Sequence, residues 1–146
     1  MLDSMVGGAL HVAWTAFQRR QVSMAPVVPF ECVFMEMPYR GSSHLRLALA
    51  YGSLFLRTLG LFRRRRPQTI WVQLPQVPLL WAALLYRRVC DPSARIVADC
   101  HNAMFRPPWS RVPAGVSWLR HCDLVIVHNE TVLCDAAAMG VSRTIL

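Results

Sequence analysis

The sequence predicts an α/β fold, a Rossmann-like parallel sheet with helices on both faces. Three observations carry that expectation. Residues 95–100 and 124–127 are short, apolar, β-branched runs without alternation, the pattern of strands covered on both faces. Helical segments separate successive strands with short turns between them, a βαβ series whose crossovers favour parallel pairing. The chain has 146 residues, 54% of them hydrophobic, enough apolar material for one domain and too little for two ordinary ones.

Each element has its own signal. Residues 9–14 are a first apolar run, and the stretch from Thr15 to Arg20 leads into a helix. Residues 30–37, fenced by Pro29 and Pro38, read as a second strand. A loop over 39–43 precedes a long amphipathic helix over 44–66, closed by Pro67 because the residue before proline disfavours helical geometry. Residues 68–74 are β-branched and aromatic, a third strand ended by Pro75. A helix follows over 77–89, with Pro78 in its first turn and Arg87 and Arg88 suiting the dipole in its last. Asp91-Pro92-Ser93 turns the chain into the fourth strand, 95–100. A loop with Pro107, Pro108 and Pro113 reaches a short helix around 115–121, then the fifth strand, 124–127. A helix over 131–139 has Gly140 as its C-cap, and residues 144–146 open a sixth strand. A strand that stops after three residues predicts a fragment of a longer protein.

The formal charge is +8, and every one of the 16 basic side chains is arginine. Arginine forks match phosphate, but here they are dispersed and the aromatics sit within apolar runs, so no nucleic-acid partner is expected. The 5 cysteines form no Cys-x-x-Cys pair and no signal peptide is evident, which suits a reducing cytosol. Cys100, His101, Cys122 and His128 match no zinc spacing, so neither metal nor cofactor is expected. The best candidate for a membrane span, residues 45–62, is interrupted by Arg46 and Arg57, which argues against crossing; the amphipathic segment itself runs from Leu45 to Arg66. Its end in four consecutive arginines fits either a core helix with a cation-rich last turn or peripheral contact with the inner face of an anionic membrane.

Absent motifs prune the chemistry. There is no Gly-x-x-x-x-Gly-Lys-Ser/Thr, no Gly-x-Gly-x-x-Gly after the first strand and no Gly-x-Ser-x-Gly. Both later strands instead end on the same dipeptide, His101-Asn102 and His128-Asn129, at the edge where α/β sheets meet ligands. Asp99, His101 and Asn102 combine carboxylate, imidazole and amide, a set suited to sugar hydroxyls; Asp99 and Asn102 equally suit capping. His128, Asn129 and Glu130 repeat the position, with Asn129 as a possible helix cap. Gln73 and Pro75 close the third strand at the same rim, as ligand contact or as turn. Arg19 and Arg20 follow the first strand, placed to meet phosphate or to begin a solvated helix.

The ordered set Ile96-Val-Ala-Asp-Cys-His-Asn-Ala-Met-Phe105, Cys122-Asp-Leu-Val-Ile-Val-His-Asn129 and Met139-Gly-Val141 resembles the N-terminal domain of GT-B glycosyltransferases of the group-1, retaining superfamily. Gln68 to Pro75 and Trp14 to Arg20 are similar to earlier strand ends of such enzymes. The resemblance implies one half of a two-domain architecture, with the acceptor held by this domain and a nucleotide-sugar donor by a second domain outside residues 1–146. It implies that His101 contacts the transferred sugar, and that the acceptor is a carbohydrate or a lipid-linked glycan. Gly7 and Gly8 precede the first strand, where some members carry a glycine-rich loop after it. The expected activity is therefore sugar transfer by the joined domains, the isolated chain being inactive. The other expectation is a non-catalytic module that docks a membrane and recruits a catalytic subunit.

Overall fold

The computed structural model describes residues 8–24, 26–39 and 41–146. Six strands form one all-parallel sheet: β1 (Ala9–Ala13), β2 (Phe30–Phe34), β3 (Thr69–Leu74), β4 (Arg95–Cys100), β5 (Leu124–Ile126) and β6 (Thr144–Ile145). The helices are α1 (Arg19–Met24), α2 (His44–Arg65), α3 (Val77–Val89) and α4 (Glu130–Ala138). The strand order β2-β1-β3-β4-β5-β6 reverses direction between β1 and β3. In such sheets the crevice for a ligand opens outside the carboxyl ends of the strands at that reversal.

Register sorts the side chains into two unlike layers, because successive residues of a strand face opposite sides. Leu10, Ile70, Val72, Ile96, Ala98 and Val125 are buried on one face and form the apolar core with α2 and α3. The other face carries His11 of β1, Gln73 of β3 and Asp99 of β4, where Gln73 pairs with Asp99 in register. These three, with Gln21 of α1, are buried polar residues and form a polar seam on one side of the sheet.

Several elements differ from the sequence reading: β3 starts at Thr69, α2 ends at Arg65, β5 ends at Ile126 and α4 spans Glu130–Ala138. β1 stops at Ala13 and frees Trp14, whose indole Nε1 donates to Thr58 Oγ1 of α2 at 3.0 Å. β2 stops at Phe34 rather than residue 37; just beyond it the Met35 N–H bonds the Ala13 carbonyl of β1. The turn before β5 is a 3-10 helix over Val116–His121, not an α-helix.

Ser43 caps α2 by accepting from the Arg46 N–H, and Pro78 sits in the first turn of α3. α4 ends in a Schellman arrangement: the Val141 N–H bonds Ala136 O, the Gly140 N–H bonds Ala137 O, and Gly140 has φ +79°. Gly8 lies just before β1; Gly7 lies outside the described residues.

By length and composition α2 could cross a membrane. In this fold, however, Leu54 and Phe62 are wholly buried, and its inner face packs on α3. It is a layer of the domain.

Candidate functional site

Asp99 organises the carboxyl edge of the sheet. Its position in the last turn of β4 buries the carboxylate, and a buried charge must find partners. Gln21 Nε2 donates to Oδ2 at 2.9 Å, and His128 Nε2 lies 2.8 Å from Oδ1. A carboxylate only accepts, so Nε2 of His128 carries the hydrogen. Arg20 approaches Oδ1 at 3.8 Å from a half-exposed position. The Asp99 side chain is 5% exposed, and both of its oxygens are engaged, so it holds His128 in place.

His101 follows β4 and is exposed, its backbone N–H bonded to Leu74 O at 3.2 Å. Its ring meets that of His128 edge-on, with centroids 5.5 Å apart. The two imidazoles therefore share one lip of the sheet. No side-chain hydrogen bond to His101 occurs among the described residues, leaving both ring nitrogens for a ligand.

Beside His101 lies a cavity of about 230 Å³ at the reversal between β1 and β3, lined by Trp14, Thr15, Gln18, Gln73, Gln76 and His101, among others. That is below the roughly 300–1,000 Å³ of a site enclosing a whole small-molecule ligand, and suits a single ring of a larger one. Gln73 is 7% exposed, and its Oε1 has no hydrogen-bond partner among the described residues. A buried amide oxygen of that kind is costly unless a donor reaches it.

The remaining sequence candidates separate. Asn129 caps α4 by accepting from the Val132 N–H at 2.9 Å, and its Nδ2 donates to Asn102 Oδ1 at 3.5 Å, joining the two His-Asn corners. Glu130 opens α4 on its exposed side, without a bond to this cluster among the described residues. Arg19 is exposed and unpaired among the described residues. Cys100 and Cys122 lie in the apolar core; burial pushes the Cys100 thiol well up and the Cys122 thiol to about 12. Cys100 pairs in register with Leu74, on the face opposite Asp99, so the four residues weighed for zinc do not converge.

Gln21, Thr15, Gln18 and Gln76 were missed by the sequence reading. Nothing local marks them, since Gln21 lies 78 residues from Asp99 and meets it only through the packing of α1. A signal did exist for the seam: His11 and Gln73 are polar interruptions of otherwise apolar strands. His11 is 1% exposed, its ring centroid 5.3 Å from that of Phe30 of β2, and its two ring nitrogens are unpartnered among the described residues. Burial lowers its pKa to about 4, against the opposing pull of Asp99.

A further hollow, about 410 Å³, lies at the amino ends of the strands between Leu84, Arg88, Pro92 and Trp118. Its Arg87 is already held by Asp123 at 3.1 Å and by the His121 carbonyl. It is at the wrong edge for the chemistry of such a sheet.

No protein-family model matches the chain, and no curated protein matches it.

Proposed function

We propose that this domain is the acceptor side of a glycosyltransferase, acting with a second domain that holds a nucleotide-sugar donor. The observation that carries the reading is the ring-sized cavity at the strand reversal, to which His101 and Gln73 both contribute polar side chains. Thr15, Gln18 and Gln76 add further polar groups, and the Trp14 indole supplies an apolar wall on which a sugar ring can lie.

In the reaction the acceptor hydroxyl oxygen bonds to the anomeric carbon while the bond from that carbon to the diphosphate oxygen breaks. The diphosphate leaves with the electron pair, and the hydroxyl proton is released. His101, with both ring nitrogens open, contacts the transferred sugar; Asp99 and Gln21 fix the edge-on His128 behind it. Positive charge near a departing diphosphate lowers the barrier, a role open to Arg19 and Arg20. Asn102 and Asn129 tie the two corners of the lip, with Glu130 at its margin. The acceptor is a carbohydrate or lipid-linked glycan, and the site is on the cytoplasmic side.

Titrating the chain with mono- and disaccharides, while following the ring resonances of His101 and His128, tests this. Saccharides should shift both, and Gln73→Leu should abolish the shifts. Undisturbed imidazoles at saturating saccharide would refute the acceptor site and leave the non-catalytic module as the better account.

A further inference from the structure

The outer face of α2 is unusual for a helix that belongs to a folded layer. Leu45, Leu49 and Leu56 are 71%, 65% and 68% exposed and stand at helical spacing along one line. Ordinary surface helices turn polar residues outward, and scattered leucines need no explanation; an aligned row does. On the flank of that row, Arg57, Arg63 and Arg64 converge with Gly60 and Met35 on an open cleft of about 580 Å³. No carboxylate pairs with these three arginines among the described residues, whereas Arg65 is held by Glu31 at 3.2 Å.

We propose that this face of α2 docks on an anionic lipid bilayer, the leucines entering the acyl boundary and Arg57, Arg63 and Arg64 holding headgroup phosphates. Apolar row and cationic flank on one helix is the arrangement that lies in a bilayer interface, and arginine stems reach outward from such a position while their heads stay wet. The inner face cannot join in, because Leu54 and Phe62 are buried in the domain and Thr58 is bonded to Trp14. The helix therefore lies on the membrane and does not cross it. A second copy of the chain fits the face poorly: a symmetric pairing sets arginine against arginine in a molecule already at +8. A soluble polyanion would satisfy the arginines and leave the leucines without purpose.

The inference stands apart from the saccharide reading, and its test does not involve that site. The full chain is co-sedimented with vesicles of phosphatidylcholine and with vesicles of phosphatidylcholine and phosphatidylglycerol in equal parts. Binding should require the anionic lipid and weaken as salt is raised. Arg63→Ala with Arg64→Ala should weaken it by about 10- to 30-fold, the effect of losing two charges near the surface. Leu45→Ser, Leu49→Ser and Leu56→Ser together should weaken it by about tenfold or more, with unchanged circular dichroism because all three are exposed. Equal binding to both vesicles overturns the proposal, as does a leucine variant that binds like the parent. So does a dimer in solution that the leucine variant disperses, with no vesicle binding by either.

Discussion

At the scale of single residues, the polar seam sets stability and function against each other. Gln73→Leu removes a buried carbonyl that no protein group satisfies, so thermal unfolding should show a gain of about 1 kcal/mol while saccharide binding disappears. A variant that loses both would show that Gln73 is a structural prop. His11 sets the acid limit. Its pKa is about 4 in the fold against 6.5 in an open chain, so between those values the unfolded state holds more protons. Stability is then complete above pH 6.5 and falls as pH drops toward 4, by up to roughly 3 kcal/mol. His11→Leu should flatten that part of the pH profile of denaturant midpoints. His11 and Gln73 were visible in the sequence as polar breaks in apolar runs, but their neighbours were not. Which strands lie side by side decides what faces them, and strand order is a property of crossovers rather than of local pattern.

At the scale of elements, α2 meets the candidate cavity through Trp14, whose Nε1 donates to Thr58 Oγ1 and whose ring lies 6.0 Å from that of Tyr51. Thr58→Val keeps the shape and strands the indole donor, so it should cost about 1–2 kcal/mol in chemical denaturation. Because Trp14 is also a wall of the cavity, saccharide affinity should fall with it, in contrast to a purely scaffolding bond. The end of α4 offers a second check. Gly140→Ala forces a side chain into the left-handed region at φ +79° and should lower stability by about 1 kcal/mol without touching the histidines. The glycine and the following sixth strand were legible because caps are local chemistry. The premature end of β2 was not, since Met35, Glu36 and Met37 continue the strand-like composition past Phe34.

At the scale of the whole molecule, +8 spread over a small domain opposes compaction, and salt relieves that opposition. Added sodium chloride should therefore raise the thermal midpoint modestly over the range in which it weakens vesicle binding. Opposite responses of folding and docking to one variable would separate self-repulsion from attraction to lipid. The layered plan itself was legible, because β-branched runs that lack alternation have few homes other than a doubly covered parallel sheet. The cavity was not, because its walls come from three segments that meet only where β1 and β3 lie adjacent.

The strictness of β4 has a corollary for how this chain tolerates change. Asp99 and Cys100 are neighbours in sequence yet inhabit opposite sides of the sheet, one among amides and imidazole, the other among aliphatic groups. Inserting or deleting one amino acid between Arg95 and Asp99 would transpose them, driving an anion into oil and a thiol into the hydrophilic pocket at a single stroke. Length variation is thus forbidden there, whereas the largely exposed turn at Asp91 to Ser93, just before β4, lies outside that register.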